Sequence, residues 1–262
     1  MATGVPGLDM VLNGGLEPGG VVVVAGAPGT GKTTGPSGVG KTIFGLRWTA
    51  QALEQGQRCL YVTFQDTADQ LAGMASFFGW DLDADRASGK LVIWHVPMGD
   101  LDLDVLADAV RANLAEHQVS RIVIDSLAEL VLAAREWERF PAYMRSLVGL
   151  IRAAGSSLLV TSETTGHGLT AESLEGLMFL FDNVIDMRYI EQVSELGRAL
   201  NVVKMRNSRH EMTLNSFAIT DRGVTVGDLI EGVTGRLGWS ALRTQDPLYP
   251  ARPAAPTAAR PS

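Results

Sequence analysis

VVVVAGAPGTGKTTGPSGVGKTIFGLRWTAQALE, residues Val21 to Glu54, holds two complete phosphate-binding loops head to tail: GAPGTGKT at Gly26–Thr33 and GPSGVGKT at Gly35–Thr42. Each fits G-x-x-x-x-G-K-[ST]. In that pattern glycines let successive backbone N–H groups turn inward around a β-phosphate, the lysine reaches the β and γ oxygens, and the hydroxyl holds Mg²⁺. The ligand to expect is a nucleoside triphosphate. The run Val21–Ala25 reads as a buried strand entering the first copy. Ile43–Glu54 reads as a helix leaving the second, with Ile43, Leu46, Ala50 and Leu53 on one face.

A working loop needs the strand on one side and, on the other, a helix N-terminus whose amides and dipole face the phosphates. Neither copy has both. The first (Gly26, Gly29, Gly31, Lys32, Thr33) touches the strand, but Pro36 follows and breaks any helix beginning at Lys32. The second (Gly35, Pro36, Ser37, Gly38, Val39, Gly40, Lys41, Thr42) opens directly into the helix at Ile43. Deleting either nine-residue unit restores an ordinary strand–loop–helix, which points to a local duplication. Anion binding depends on the helix more than on the strand, so Lys41 and Thr42 are read as the working pair, with Gly26–Thr34 as an added surface loop. The rival reading, in which the first copy binds and the second bulges, makes Lys32 the essential lysine.

The chain has 262 residues with 46% apolar content, enough for one sizeable core. We read one α/β domain over residues 1–242 and a disordered tail over 243–262, where five prolines fall in twenty residues. A net charge of −7 and a pI near 5.1 argue against a nucleic-acid partner. Only four lysines occur beside eighteen arginines, and Lys32, Lys41 and Lys204 all lie in motifs. The single cysteine, Cys59, reads as a core residue, and the four histidines lack metal-ligand spacing. The N-terminus has no basic segment followed by an apolar core, and no apolar run approaches the ~20 residues of a membrane span. The expectation is a cytoplasmic protein without a membrane partner.

Apolar β-branched runs alternate with helical-period segments: Cys59–Phe64 then Asp66–Phe78, Leu91–Val96 then Leu103–Glu116, Arg121–Asp125 then Pro141–Ala154, and Ser157–Thr161. That alternation predicts a mainly parallel sheet flanked by helices. Asn183–Ile190, Ala199–Met205, Ser216–Thr220 and Gly223–Thr225 follow without helices between them, predicting an antiparallel extension at one edge. The strand RIVID ends in Asp125, placed to reach a Mg²⁺ shell from the C-terminal edge of the sheet. Leu60–Phe64 ends in Gln65-Asp66, where a carboxylate can orient or deprotonate an attacking water. The alternative is that Asp66 or Thr67 only caps the next helix. Thr161-Ser162-Glu163 ends a further strand at the same edge, in reach of a γ-phosphate.

The segments TGVPGLDMVLNGGLEPG, LYVTFQD, RIVIDS, LLVTSE and RALNVVKMRNSRH, followed by FAITDRGV, together with the phosphate loop, resemble the RecA-type ATPase domain of the KaiC family over about Thr3 to Asp228. The resemblance implies a RecA-like P-loop fold and a Mg²⁺-dependent regulatory ATPase. It also implies a ring, commonly a hexamer, with ATP between neighbouring subunits and a signalling protein as possible partner. The matching segment KMRNSRH would then present Lys204 and Arg206, with His210 nearby, to the γ-phosphate on the next protomer. Cations supplied across an interface stabilise charge on a transferring phosphoryl group.

Four departures from the family pattern stand out. Gln65-Asp66 replaces paired glutamates, and a neutral amide positions water without accepting its proton. One domain is present where the clock protein carries two. Met178-Phe179 stands where the clock protein has its self-phosphorylated Ser-Thr pair, and Asn207 stands where glycine is usual. The neutral amide, with the duplicated loop, leaves open a second reading, an ATP-sensing module with weak catalysis. A third, a DNA-binding recombination-type ATPase, is disfavoured because the loop TTGHGLTAES, Thr164–Ser173, carries neither Lys nor Arg.

Overall fold

Val21, Val22, Val23 and Val24 are each at most 1% exposed, which a strand achieves where both faces of its sheet are covered. They form β1 (Val21–Gly26) in a computed structural model that describes residues 1–26, 40–134, 137–163, 176–192, 195–206 and 213–230. Among the described residues the sheet has nine strands. Its order is β3 (Leu91–His95), β2 (Cys59–Thr63), β4 (Arg121–Asp125), β5 (Ser157–Glu163), β1, β6 (Asn183–Gln192), β7 (Glu195–Met205), β8 (Leu214–Thr220) and β9 (Gly223–Leu229). The pairs from β3 through β6 are parallel, and those from β6 through β9 are antiparallel. This is the α/β architecture with an antiparallel edge that the alternation predicts.

Side chains alternate between the two faces of each strand. On one face Val22, Val24, Tyr61, Val123, Leu159 and Ile185 pack with Ile43, Phe44, Leu46 and Leu53 of α2 (Lys41–Glu54) in one apolar cluster. The alternate set, including Val23, Val62, Ile124 and Val160, is buried as deeply. α7 (Phe140–Ala153) lies against β5 and beside α5 (Leu103–His117). Its high amphipathicity follows from Met144, Leu147, Val148 and Ile151, all buried at helical spacing. No helix among the described residues is long and apolar enough to cross a membrane.

α3 (Ala68–Phe77) starts two residues later than its hydrophobic period suggests, because Thr67 takes the N-cap. The Gln70 amide donates to Thr67 Oγ1 (3.3 Å) and the Thr67 amide to Gln70 Oε1 (2.7 Å), a reciprocal pair that satisfies two helix-end donors. Three short helices have no visible period: α1 (Leu8–Val11), α4 (Leu82–Ala87), capped by Asp81, and α6 (Leu127–Ala133), capped through Ser126 and Glu129. About two turns or fewer give periodicity too little to act on.

The opposite, N-terminal edge of the sheet is tied by Asp182. Its carboxylate accepts from the Val21 amide (2.9 Å), Arg152 Nη2 (2.6 Å) and Arg206 Nη1 (3.1 Å). Burial pushes this carboxyl's pKa up, but the three hydrogen bonds outweigh it and hold it below the ordinary aspartate value. A depressed acid contributes stability above its unfolded pKa and loses it as pH falls through its folded pKa. Asp182→Asn is therefore expected to lower the unfolding free energy by about 1–3 kcal/mol at neutral pH, with half-exposed Arg206 contributing least. Urea titrations of wild type and variant should converge as the pH drops below the ordinary carboxylate range. A constant gap down to acid would contradict this account of the tie.

Candidate functional site

Parallel strands end at a common edge, and register sets which residues meet there. Gly26 at the end of β1 pairs with Glu163 at the end of β5, and Asp125 at the end of β4 pairs with Thr63 at the end of β2. α2 begins at this edge with Lys41 and Thr42, after Gly40 at φ 96. A side chain at position 40 would be strained by that φ and would press on Ile219 at 3.2 Å. Farther along α2, Gly45 permits close approach to the sheet, since a Cβ there would meet the Tyr61 hydroxyl at 3.1 Å and Val123 at 3.4 Å. This packing brings the N-terminus of α2 to the strand ends, and Lys41 Nζ donates to the Gly26 carbonyl at 3.1 Å. Burial pushes the Lys41 ammonium pKa down, against the opposing pull of Glu163, Asp125 and Glu129.

Asp125 accepts hydrogen bonds from the Tyr61 hydroxyl (2.9 Å) and from Thr161 Oγ1. Burial and the neighbouring Asp125 charge hold the Tyr61 hydroxyl pKa well above its usual value, so Tyr61 stays a donor. Two neutral donors thus fix the carboxylate while leaving its charge intact, which suits an oriented metal ligand. The Asp125–Ser126 peptide that follows is cis. Thr42 and Asp125 offer hard oxygen donors of the kind Mg²⁺ prefers. Among the described residues no group of three or more His, Cys, Asp or Glu side chains is set to hold a metal. A Mg²⁺ ion that takes most of its ligands from phosphate and water does not require one.

Because Thr67 caps α3, Asp66 is not used there. Burial raises its carboxyl pKa and Asp125 raises it further, with His95 acting the other way. Gln65, exposed at the end of β2, donates through Nε2 to Glu129 Oε1. Glu129 is 4% exposed and also accepts from the Ser126 amide and hydroxyl. Sequence reasoning did not single out Glu129. The S-x-x-E spacing from Ser126 announces a cap, but the contact with Gln65 depends on β2 lying beside β4.

Arg206 stands at the other end of the sheet, and Lys204 stands midway along it with its ammonium turned toward that end. β7 runs antiparallel to β6, so Lys204 is level with Val184 and through it with Val23. The Arg206 amide donates to Asp182 O, and the Asp182 amide to Val21 O. From Val21 to Gly26 the strand covers about 16 Å, more than an arginine side chain spans. Lys204 Nζ donates to the carbonyls of Met178 and Phe181, both at 2.7 Å. Between them Phe179 is 50% exposed, its ring 5.0 Å from the Arg145 guanidinium. Gly29, Gly31, Lys32, Thr33, the second loop from Gly35 through Val39, Asn207, His210, the loop Thr164–Ser173 and the tail lie outside the described residues.

Comparison with known proteins identifies the family. The family model for the KaiC ATPase matches residues 1–34 and 33–231, two pieces that meet between the loop copies. A UPF0273 protein of Thermotoga maritima is 29% identical over 245 residues, covering 86% of this chain and 94% of that protein. The circadian clock protein KaiC2 of Synechocystis is 28% identical over 235 residues, and the match spans 39% of that longer chain. A solved KaiC-like protein from the archaeon Pyrococcus horikoshii superposes with a TM-score of 0.74 at 25% identity, covering 87% of this chain and 98% of the other. The fold is RecA-like, and the chain belongs to the KaiC ATPase family.

Proposed function

We propose that the protein is a Mg²⁺-dependent, ATP-binding and ATP-hydrolysing regulatory ATPase that acts as a hexameric ring with ATP between subunits. One observation carries this reading: Lys41 and the carboxylates of Asp125 and Glu163 share the C-terminal edge of the sheet, while Arg206 stands at the far end and the Lys204 ammonium is turned away from that edge. In this reading Lys41 and the first amides of α2 bind the β and γ phosphates. Thr42 and Asp125 hold Mg²⁺, which supplies charge neutralisation on the phosphate oxygens. Gln65 orients the attacking water and Asp66 accepts its proton. Lys204 and Arg206 of each subunit serve the neighbour's nucleotide, with His210 beside them. Nucleotide state then sets ring assembly or a surface read by a signalling partner.

Asp66 serves as base only when ionised. Its raised pKa predicts that turnover climbs with pH through a value above the ordinary aspartate range. Asp66→Asn should remove that limb and cut turnover by about 10²-fold. Steady-state ATPase assays from acid to neutral pH read both. A wild type that binds ATP but turns over no faster than Lys41→Ala would replace hydrolysis with ATP sensing, the reading that the neutral amide of Gln65 favours.

A further inference from the structure

We infer that Glu129 is a positioning residue for hydrolysis, acting through the Gln65 amide. The inference rests on the ATPase reading and deepens it. Glu129 Oε2 accepts from the Ser126 amide and hydroxyl, and Glu129 Oε1 accepts from Gln65 Nε2. A carboxylate only accepts, so the side of Gln65 facing Glu129 must be its NH₂. The carbonyl oxygen of Gln65 is thereby fixed on the opposite prong of the amide, as an acceptor for a water O–H. Glu129 is 4% exposed and fixed by the α6 cap, whereas Gln65 is exposed at the strand end. The buried carboxylate therefore sets the polarity of the exposed amide.

The pairing makes an asymmetric forecast. In Glu129→Gln, the oxygen of the introduced amide still takes the Ser126 donors, and its NH₂ now faces Gln65. Gln65 must turn its carbonyl inward and present NH₂ to the water, the wrong polarity. In Gln65→Glu two carboxylates oppose each other. In the double exchange, Gln65→Glu with Glu129→Gln, the amide at position 129 donates to the new carboxylate, whose second oxygen again faces outward as an acceptor.

The test is kcat and KM for ATP in the four full-length proteins, with thermal unfolding in parallel. Each single variant should lose about 10-fold or more in kcat with KM within about twofold. The exchange should return at least about half of the wild-type kcat. Loss without rescue, with unfolding unchanged, reduces Glu129 to a helix cap and overturns the inference, as does an unchanged kcat in Glu129→Gln. If Glu129→Gln unfolds early, the exchange carries the same defect and Gln65→Glu alone decides, because Gln65 lies outside the cap: an unchanged kcat in that variant overturns the inference. Absence of turnover in wild type overturns the ATPase reading together with the inference, whereas turnover that ignores both positions overturns the inference alone.

Discussion

Lys41→Ala is expected to abolish turnover, by about 10²-fold or more, and to weaken ATP binding, while Lys32→Ala leaves both within about twofold of wild type. The asymmetry follows from where a phosphate gains most. Lys41 begins a fourteen-residue helix whose first amides and dipole face the strand ends, and its ammonium reaches the Gly26 carbonyl. Asp125, two strands away, and Glu163, beside Gly26, complete the charged edge. Lys32 has Pro36 four residues on, a sequence that disfavours a helix beginning at that lysine. Equilibrium binding of a fluorescent ATP analogue, alongside turnover, separates the two lysines. Loss confined to Lys32→Ala would transfer the site to the first copy and make the second the insertion.

The second large effect concerns Arg206. Its half-exposed guanidinium lies at the end of the sheet remote from Gly26 and Lys41 of its own subunit. Cations of this type contribute to the transition state far more than to the ground state. Arg206→Ala should therefore lower kcat by about 10³-fold while ATP affinity changes little. Asp182→Asn, which releases one partner of Arg206 without removing its charge, should have a much smaller effect on turnover. A parallel loss of ATP binding and kcat in Arg206→Ala would instead assign the residue to folding or to assembly.

Much of this was legible in the sequence for identifiable reasons. The valine run of β1 and the apolar period of α2 mark a strand and a helix around the loops, and RIVID reads correctly to the residue as β4. The parallel-sheet rule then brings Gly26, Gln65, Asp66, Asp125 and Glu163 to one edge from strand order in the chain alone. The antiparallel strands were harder. β7 begins at Glu195 rather than Ala199, and β9 runs to Leu229 rather than Thr225, because their polar ends carry no apolar alternation. Contacts that depend on which strands are neighbours were invisible: Tyr61 to Asp125, Gln65 to Glu129 and Arg206 to Asp182 each join segments that only the sheet brings together.

Mixing two inactive variants tests the shared site most directly. Lys41→Ala lacks the phosphate lysine and retains Arg206, while Arg206→Ala lacks the cation and retains the loop. In a head-to-tail ring assembled at random from equal amounts, about a quarter of the interfaces combine an intact loop with an intact cation. ATPase activity should therefore rise from near zero in each pure variant to about a quarter of wild type in the mixture. A mixture as inactive as its components, at concentrations where wild type hydrolyses ATP and subunits are shown to exchange, would contradict a site built between neighbouring subunits.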